Sequence, residues 1–215
     1  MEAGYLTSGF YVQAGYTHGP SFSDFFNYVE EQYMSSDNIG NFGGNVSMHI
    51  GYISRLSRNF ALDIGFSIYG MSKSFRVVNR NPALTDLFFV DHELKYQSAI
   101  FTGTVPILLE FSPRQRIVPY VGIGLSIYSL RMDDYRDLIF ATGRISEALR
   151  DTRTAAGGHF ETGLAFKISR RLWIDLRGRW HAGNAHIMTL ENYPADFEIR
   201  QTLSQYSLGI DYFFR

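Results

Sequence analysis

The sequence has no cysteine, which excludes disulfides, thiolate zinc sites and cysteine nucleophiles, and fits export to an oxidising compartment without use of crosslinks. Charge is scarce: Asp, Glu, Lys and Arg make up 19% of the 215 residues, against roughly 25% in soluble domains. Twenty basic side chains face 21 acidic ones for a net charge of −1, so no cationic excess exists to displace counterions from a nucleic-acid backbone. Nucleic acid is therefore not an expected partner. No run of about 18 uncharged apolar residues occurs, and mean hydropathy is −0.12, so no transmembrane helix is expected. The opening residues, MEAGYLTSGF, lack a charged head leading into an apolar stretch, and no signal peptide is expected in this sequence.

Aromatic residues are abundant, at 16%, with 14 Tyr and 18 Phe. They fall into segments of period-two alternation, the signature of strands whose successive side chains point to opposite faces. Eight such segments occur. Phe10, Val12, Ala14 and Tyr16 open the first; Val46, Met48, Ile50 and Tyr52 mark the second; Phe60, Leu62, Ile64, Phe66 and Ile68 the third. Phe101, Val105, Ile107, Leu109 and Phe111 form the fourth, with blurred polarity upstream of Ala99 that suggests a bulge or an emerging strand end. The fifth to eighth carry Val121–Ile127, Phe160–Ile168, Ile174–Trp180 and Tyr206–Phe214. Short polar turns join strands two to three, four to five and six to seven, while the other connections are long. A single unit over residues 1–215, an all-β, eight-stranded antiparallel up-and-down barrel, is expected. Short connections at one rim and long ones at the other match a transmembrane β-barrel with periplasmic termini and long extracellular loops.

Such alternation also fits a soluble, lipocalin-like barrel read inside out. The polar face decides between them. It holds Gly15, Gly51, Gly65, Gly122, Gly124, Gly163 and Gly209, with isolated charges at Asp63, Glu110, Glu161, Lys167, Asp175, Arg177, Arg179 and Asp211. Glycine weakens a strand and solvent does not demand it, whereas a narrow eight-stranded lumen does. The eight charged residues are expected to form an ion-pair network inside, since unpaired buried charges cost several kcal/mol each. Tyr16, Tyr52, Phe60, Phe111, Trp180, Tyr206 and Phe214, near the ends of the apolar face, suit aromatic girdles at the lipid boundary.

The segments Val105-Pro106-Ile107-Leu108-Leu109 and Val118-Pro119-Tyr120-Val121-Gly122-Ile123-Gly124 resemble the central hairpin of the bacterial outer-membrane β-barrel domain family, the small barrels of OmpA, OmpX and OmpW type. The C-terminal alternation from Tyr206 to Phe214 resembles that family's assembly signal, although Arg215 follows the last aromatic. The resemblance implies fold and outer-membrane location, with membrane lipids including lipopolysaccharide as neighbours.

Arg177–Ala185 is similar to the His-x-Ser-Asn-Ala segment of PagL-type lipid A deacylases. That similarity would make His181 a base at the lipid-facing wall and Asn184 a neighbouring polar group. Gly183 stands where the nucleophilic serine belongs, and a glycine has no hydroxyl to attack an ester, so His181 is a weak catalytic candidate. His159, His181 and His186 with Glu161 follow no metal-ligand spacing, and no metal or cofactor is expected. Phe22, Phe25, Phe26 and Tyr28 in the first long connection, and Phe88 and Phe89 in the second, are candidate recognition residues. In the third, Leu138, Ile145 and Leu149 of Asp137–Arg150 share a face at helical spacing; a short helix there would dock a partner, lie on the membrane or fold over the mouth.

The expected role is a non-catalytic scaffold or recognition module acting through aromatic-rich loops, with a protein partner and a place in a larger envelope assembly. A lipid A-modifying hydrolase, a narrow channel and a soluble binder are the alternatives.

Overall fold

A computed structural model describes residues 7–34, 39, 42–187 and 197–214; Asp37 and the side chains of Asn184 and His186 lie outside the described residues. The chain runs β1 (Thr7–His18), α1 (Ser23–Gln32), β2 (Gly44–Arg55), β3 (Ala61–Val78), β4 (Leu87–Leu108), β5 (Ile117–Phe140), β6 (Gly143–Lys167), β7 (Leu172–Ile187), β8 (Phe197–Arg200) and β9 (Leu203–Phe214). Every pairing is antiparallel between sequence neighbours, except that β9 closes the ring by pairing with both β7 and β1. The short β8 pairs with the outer end of β7 and leads into β9 across Gln201, whose amide donates to the Gly183 carbonyl. Together they make one interrupted wall strand, so the ring has eight members.

Side-chain alternation sets the two faces as the pattern requires. Val12, Ile50, Ile64, Phe101, Ile123, Leu125, Leu164, Leu176, Leu208 and Ile210 point outward and are exposed, while Asp63, Glu161, Asp175, Arg177 and Arg179 point inward and are buried. An exterior this apolar cannot face water, which excludes the soluble, inside-out arrangement. Aromatic side chains collect near its limits. At the turn end Phe10 packs on Tyr52 and Phe214; toward the other end Trp180 packs on Phe160 and Tyr206.

Glycines allow close approach at specific places. A Cβ on Gly51 or Gly65 would collide with the Tyr11 ring or hydroxyl, and one on Gly163 would collide with Tyr120. Both tyrosines reach across the lumen to carboxylates, so the glycines make room for the hydrogen-bonded rings.

Where the structure departs from the sequence expectations, it does so beyond the lipid belt. The outward face of β5 is apolar from Ile117 to Ile127 and then reads Ser129, Arg131 and Asp133; on β4 it turns polar above Ala99, at Gln97, Lys95 and Glu93. The apolar stretch matches the roughly 9–11 residues of a tilted membrane strand. β3 to β6 nevertheless continue as a four-stranded sheet, about a dozen residues further in β5 and β6, or roughly 40 Å of strand. The blur upstream of Ala99 is therefore neither a bulge nor a strand end; it is β4 leaving the lipid, and the single register shift lies far out, between Leu87 and Phe89.

The segment Asp137–Arg150 is not a helix. It is the tip of the β5–β6 hairpin, turning at Ala141 and Thr142, with Leu138 directly opposite Ile145. A two-residue turn shifts the parity of the inward face from even to odd numbers, so Leu138, Ile145 and Leu149 acquire a spacing that mimics a helix. Phe88 and Phe89 likewise belong to strand β4, not to a loop.

The first connection supplies the only α-helix among the described residues. Helix α1 lies over the inner face of the projecting sheet, burying Phe22, Phe25, Phe26 and Val29 against Met71, Val90, Leu94, Tyr96, Leu130 and Met132. Phe22 stacks edge-on to Tyr96 at 5.1 Å, and Phe26 edge-on to Phe75 at 5.6 Å. These phenylalanines are a core, held by several kcal/mol of buried apolar surface in sum, and are not free to meet a partner.

Candidate functional site

The lumen is layered. At the turn end, Ile53, Leu108, Val118, Trp173 and Phe213 pack together, with Trp173 4.8 Å from Phe213. Arg55 and Lys167 both cap the Trp173 ring at about 5 Å and both pair with buried Glu110 at 2.8 Å. The sequence placed Glu110 and Lys167 inside; Arg55 is the partner it missed, because Arg55 sits where strand two meets its turn and reads there as an ordinary polar terminus.

Above this plug lies the ionic layer. Arg177 donates to Asp63 at 2.7 Å, to Asp175 at 3.0 Å and to the Tyr120 hydroxyl at 2.9 Å, with Glu161 at 3.8 Å. Arg179 donates twice to Glu161, at 2.7 and 3.1 Å. Neutral donors complete the shells: Tyr11 to Asp63 at 2.9 Å, Tyr120 to Asp175 at 2.9 Å and Gln13 to Asp175 at 2.7 Å. Asp211 is buried beside a cavity of about 10 Å³ that Asp175, Arg177 and Tyr120 also line, and its Oδ1 has no protein partner. The structure thus brings Asp63, Glu161, Asp175, Arg177 and Arg179 into one layer and Glu110 with Lys167 into another, and leaves Asp211 outside every ion pair among the described residues.

A third layer is histidine-rich. Ser126 Oγ lies 2.8 Å from His159 Nδ1 and 3.2 Å from His181 Nδ1; His159 Nε2 meets Thr104 at 2.8 Å and His181 Nε2 meets Gln205 at 3.0 Å. His181 therefore points into the lumen and is buried. The outward residues beside it are Trp180 and Ala182. This removes it from the lipid-facing wall, where a deacylase base would have to stand. Ser126, unmarked in the sequence because it alternates like any other inward strand residue, is the nearest hydroxyl, and it too is enclosed. No carboxylate orients either ring by a hydrogen bond among the described residues, so the arrangement lacks the third member of an activated nucleophile. Three or more metal-ligating side chains do not converge anywhere among the described residues.

Toward the outer end the lumen is apolar again, filled by α1 and the core around it. Beyond α1 the projecting sheet carries a cleft of about 480 Å³, between Gln32 and Tyr33 at the end of the helix, Leu84 to Leu87 of the β3–β4 connection, and Arg136, Leu138, Phe140 and Glu147 of the β5–β6 hairpin. Arg136 donates to Glu147 at 2.5 and 2.7 Å. Burial pushes the Tyr33 hydroxyl above the usual phenol range, so it stays a neutral donor. The cleft's lining is mixed, with Leu84, Leu87, Leu138 and Phe140 set among Gln32, Thr85, Asp86, Arg136 and Glu147. Of the aromatic recognition candidates, Tyr28 is half-buried, Phe89 lies under the Arg76 guanidinium at 4.1 Å, and Phe88 is exposed.

The sheet's outward face beyond the belt is ion-paired: Arg76 with Asp91, Lys95 with Glu93, Arg131 and Arg150 with Asp133, and Arg144 with Asp137. Burial raises the Asp133 carboxyl, but the flanking Arg150 and Arg131 more than offset this and hold it below the usual carboxylate range.

Among solved structures, the outer membrane protein OprG from Pseudomonas aeruginosa aligns over 99% of this chain and 98% of its own at a TM-score of 0.59 and 10% identity. Neisserial surface protein A aligns over 95% and 97% at 0.47 and 16% identity, and the Escherichia coli outer membrane protein W over all of both chains at 0.43 and 13%. The likeness to OprG bears on fold alone. None of the curated proteins compared matches the chain. The profile described as outer membrane protein beta-barrel domain matches residues 2–214, nearly the whole sequence. With an apolar exterior, a charged lumen and a ring of eight antiparallel strands, the chain belongs to that family of bacterial outer-membrane β-barrels.

Proposed function

We propose that this barrel is a non-catalytic recognition module: a closed membrane anchor that holds a rigid sheet-and-helix body outside the bilayer and binds through the cleft at its tip. Both termini then lie on the periplasmic side and the projecting sheet faces the exterior, next to lipopolysaccharide. The observation that carries the reading is the contrast between the two ends of the lumen. Apolar clusters around Trp173 at one end and around α1 at the other fill the two ends of the lumen, while the same chain keeps a roomy cleft between Tyr33, Leu84, Arg136 and Phe140.

Recognition is thereby assigned to the cleft and to Phe88 beside it, not to Phe22, Phe25 and Phe26, which serve as the body's core. The cleft pairs Leu84, Leu87, Leu138 and Phe140 with Asp86, Glu147 and Arg136, a make-up that suits a peptide or glycan with both apolar and hydrogen-bonding groups. In this proposal the same surface would also take a protein partner as part of a larger envelope assembly.

The test is to present the nanodisc-embedded protein to glycan and peptide arrays, alongside a Leu84→Glu/Phe140→Ala variant. Ligands retained by the parent and lost by the variant support the reading. An array with no hits, or hits indifferent to the cleft substitutions, refutes it.

A further inference from the structure

The near-zero net charge conceals a local excess. The three short turns each pair a serine with arginine: Ser57-Arg58, Ser112-Pro113-Arg114-Gln115-Arg116 and Ser169-Arg170-Arg171. In each the serine hydroxyl accepts backbone amides, those of Asn59 and Phe60, of Arg114, and of Arg171 and Leu172, which fixes the turn and sets the arginines along the rim. None of these five arginines makes an ion pair with a described carboxylate. Glu110, near this end, is buried and already holds Arg55 and Lys167.

At the opposite end Arg76, Lys95, Arg131, Arg136, Arg144, Arg150 and Arg153 all have carboxylate partners. The turn rim is thus the place where cationic heads stand ready for external anions. It is also the edge of the lipid belt: exposed Phe111 and Ile168 flank the arginines, and Arg170 and Arg171 border a hollow of about 300 Å³ floored by Phe213 and Phe214.

We infer that the short-turn rim is a binding site for anionic phospholipid headgroups, with the exposed Arg114, Arg116, Arg170 and Arg171 donating to the phosphate and the rim aromatics lying against the acyl-glycerol region. Guanidinium presents paired donors to phosphate oxygens, and a cluster of basic side chains at a membrane surface gains with each added charge. The site needs only the membrane placement of the barrel; it is independent of what the outer cleft binds.

Native mass spectrometry of the detergent-purified barrel in equimolar phosphatidylglycerol and phosphatidylcholine reads this out. The parent is expected to retain phosphatidylglycerol with a preference of about tenfold. Arg114→Gln/Arg116→Gln/Arg170→Gln/Arg171→Gln is expected to bring the preference close to one. The two-site variant Arg170→Gln/Arg171→Gln, which touches only one turn, is expected to give an intermediate value and serves if the fourfold variant does not fold. Arg131→Gln/Arg150→Gln, at the far boundary of the belt, is expected to keep the parent preference. A parent that does not discriminate, turn variants that discriminate as the parent does, or equal loss in the far-boundary control would each overturn the inference.

Discussion

Replacing Arg177 by methionine tests the lumen most severely, because the side chain is the hub of the ionic layer. Methionine keeps much of the volume and removes the bonds to Asp63, Asp175 and Tyr120, leaving two carboxylates that shared one guanidinium to face each other near Glu161. Removing one partner of a buried pair typically costs about 3–5 kcal/mol, because the other charge stays buried without compensation. A total stability of about 5–15 kcal/mol makes that a large fraction. Asp63→Asn added to Arg177→Met removes one orphaned charge while its Oδ1 still accepts from Tyr11, and is expected to recover about 1–3 kcal/mol. Urea unfolding and refolding in lipid vesicles, followed by tryptophan fluorescence, gives both numbers. A single variant within about 1 kcal/mol of the parent, or a second substitution that adds its own loss, would refute the claim that paired charges hold the lumen.

Other expectations follow from single contacts. Gly163→Ala should destabilise by about 1–3 kcal/mol in the same assay, since its Cβ meets a Tyr120 ring held by Asp175 and Arg177. Planar bilayers should stay silent for the parent and also for Trp173→Ala/Phe213→Ala, because the outer apolar plug remains; steps of conductance in the parent would dismiss the closed lumen. Asp133, whose folded carboxyl titrates below its unfolded value near 4, should support the projecting sheet fully above that value and cease to as pH falls through the folded one. Amide exchange in β5 and β6 should accordingly quicken in Asp133→Asn at pH 7, by a gap reflecting at most about 1 kcal/mol, and the gap should narrow as pH falls below the unfolded value.

The faces of the barrel were legible because lipid imposes a single rule: one side of each strand must be apolar, as at Ile123, Leu125 and Ile127 against Gly122, Gly124 and Ser126. Past Ala99 and Ser129 that rule stops. Water on the outward face and a mixed interior containing His92, Asp134 and Arg136 erase the alternation, so adjacent Asp133 and Asp134 give no hint that one is covered by Arg131 and Arg150 on the outward face and the other pairs with His92 inside. Phe22, Phe25 and Phe26 read as exposed recognition residues because nothing local shows the sheet that covers them. The ionic layer was legible in outline as charges on a glycine-rich face, but its neutral donors, Tyr11, Gln13 and Tyr120, were not, since they alternate inward like other strand residues. The tip cleft draws on α1, the β3–β4 connection and the β5–β6 hairpin, and only the folded chain joins them.

The absence of cysteine makes the central claim directly measurable, since single cysteines placed for nitroxide labels have no background. Labels at outward positions Phe101, Ile123 and Leu164 in a lipid-reconstituted barrel should relax with oxygen and be shielded from a water-soluble nickel reagent, whereas labels at Glu93, Arg131 and Arg150 on the same strands should show the reverse. Nickel access at Ile123, or oxygen-dominated relaxation at Arg131, would contradict an apolar belt that ends at Ala99 and Ser129 with a water-exposed sheet beyond it.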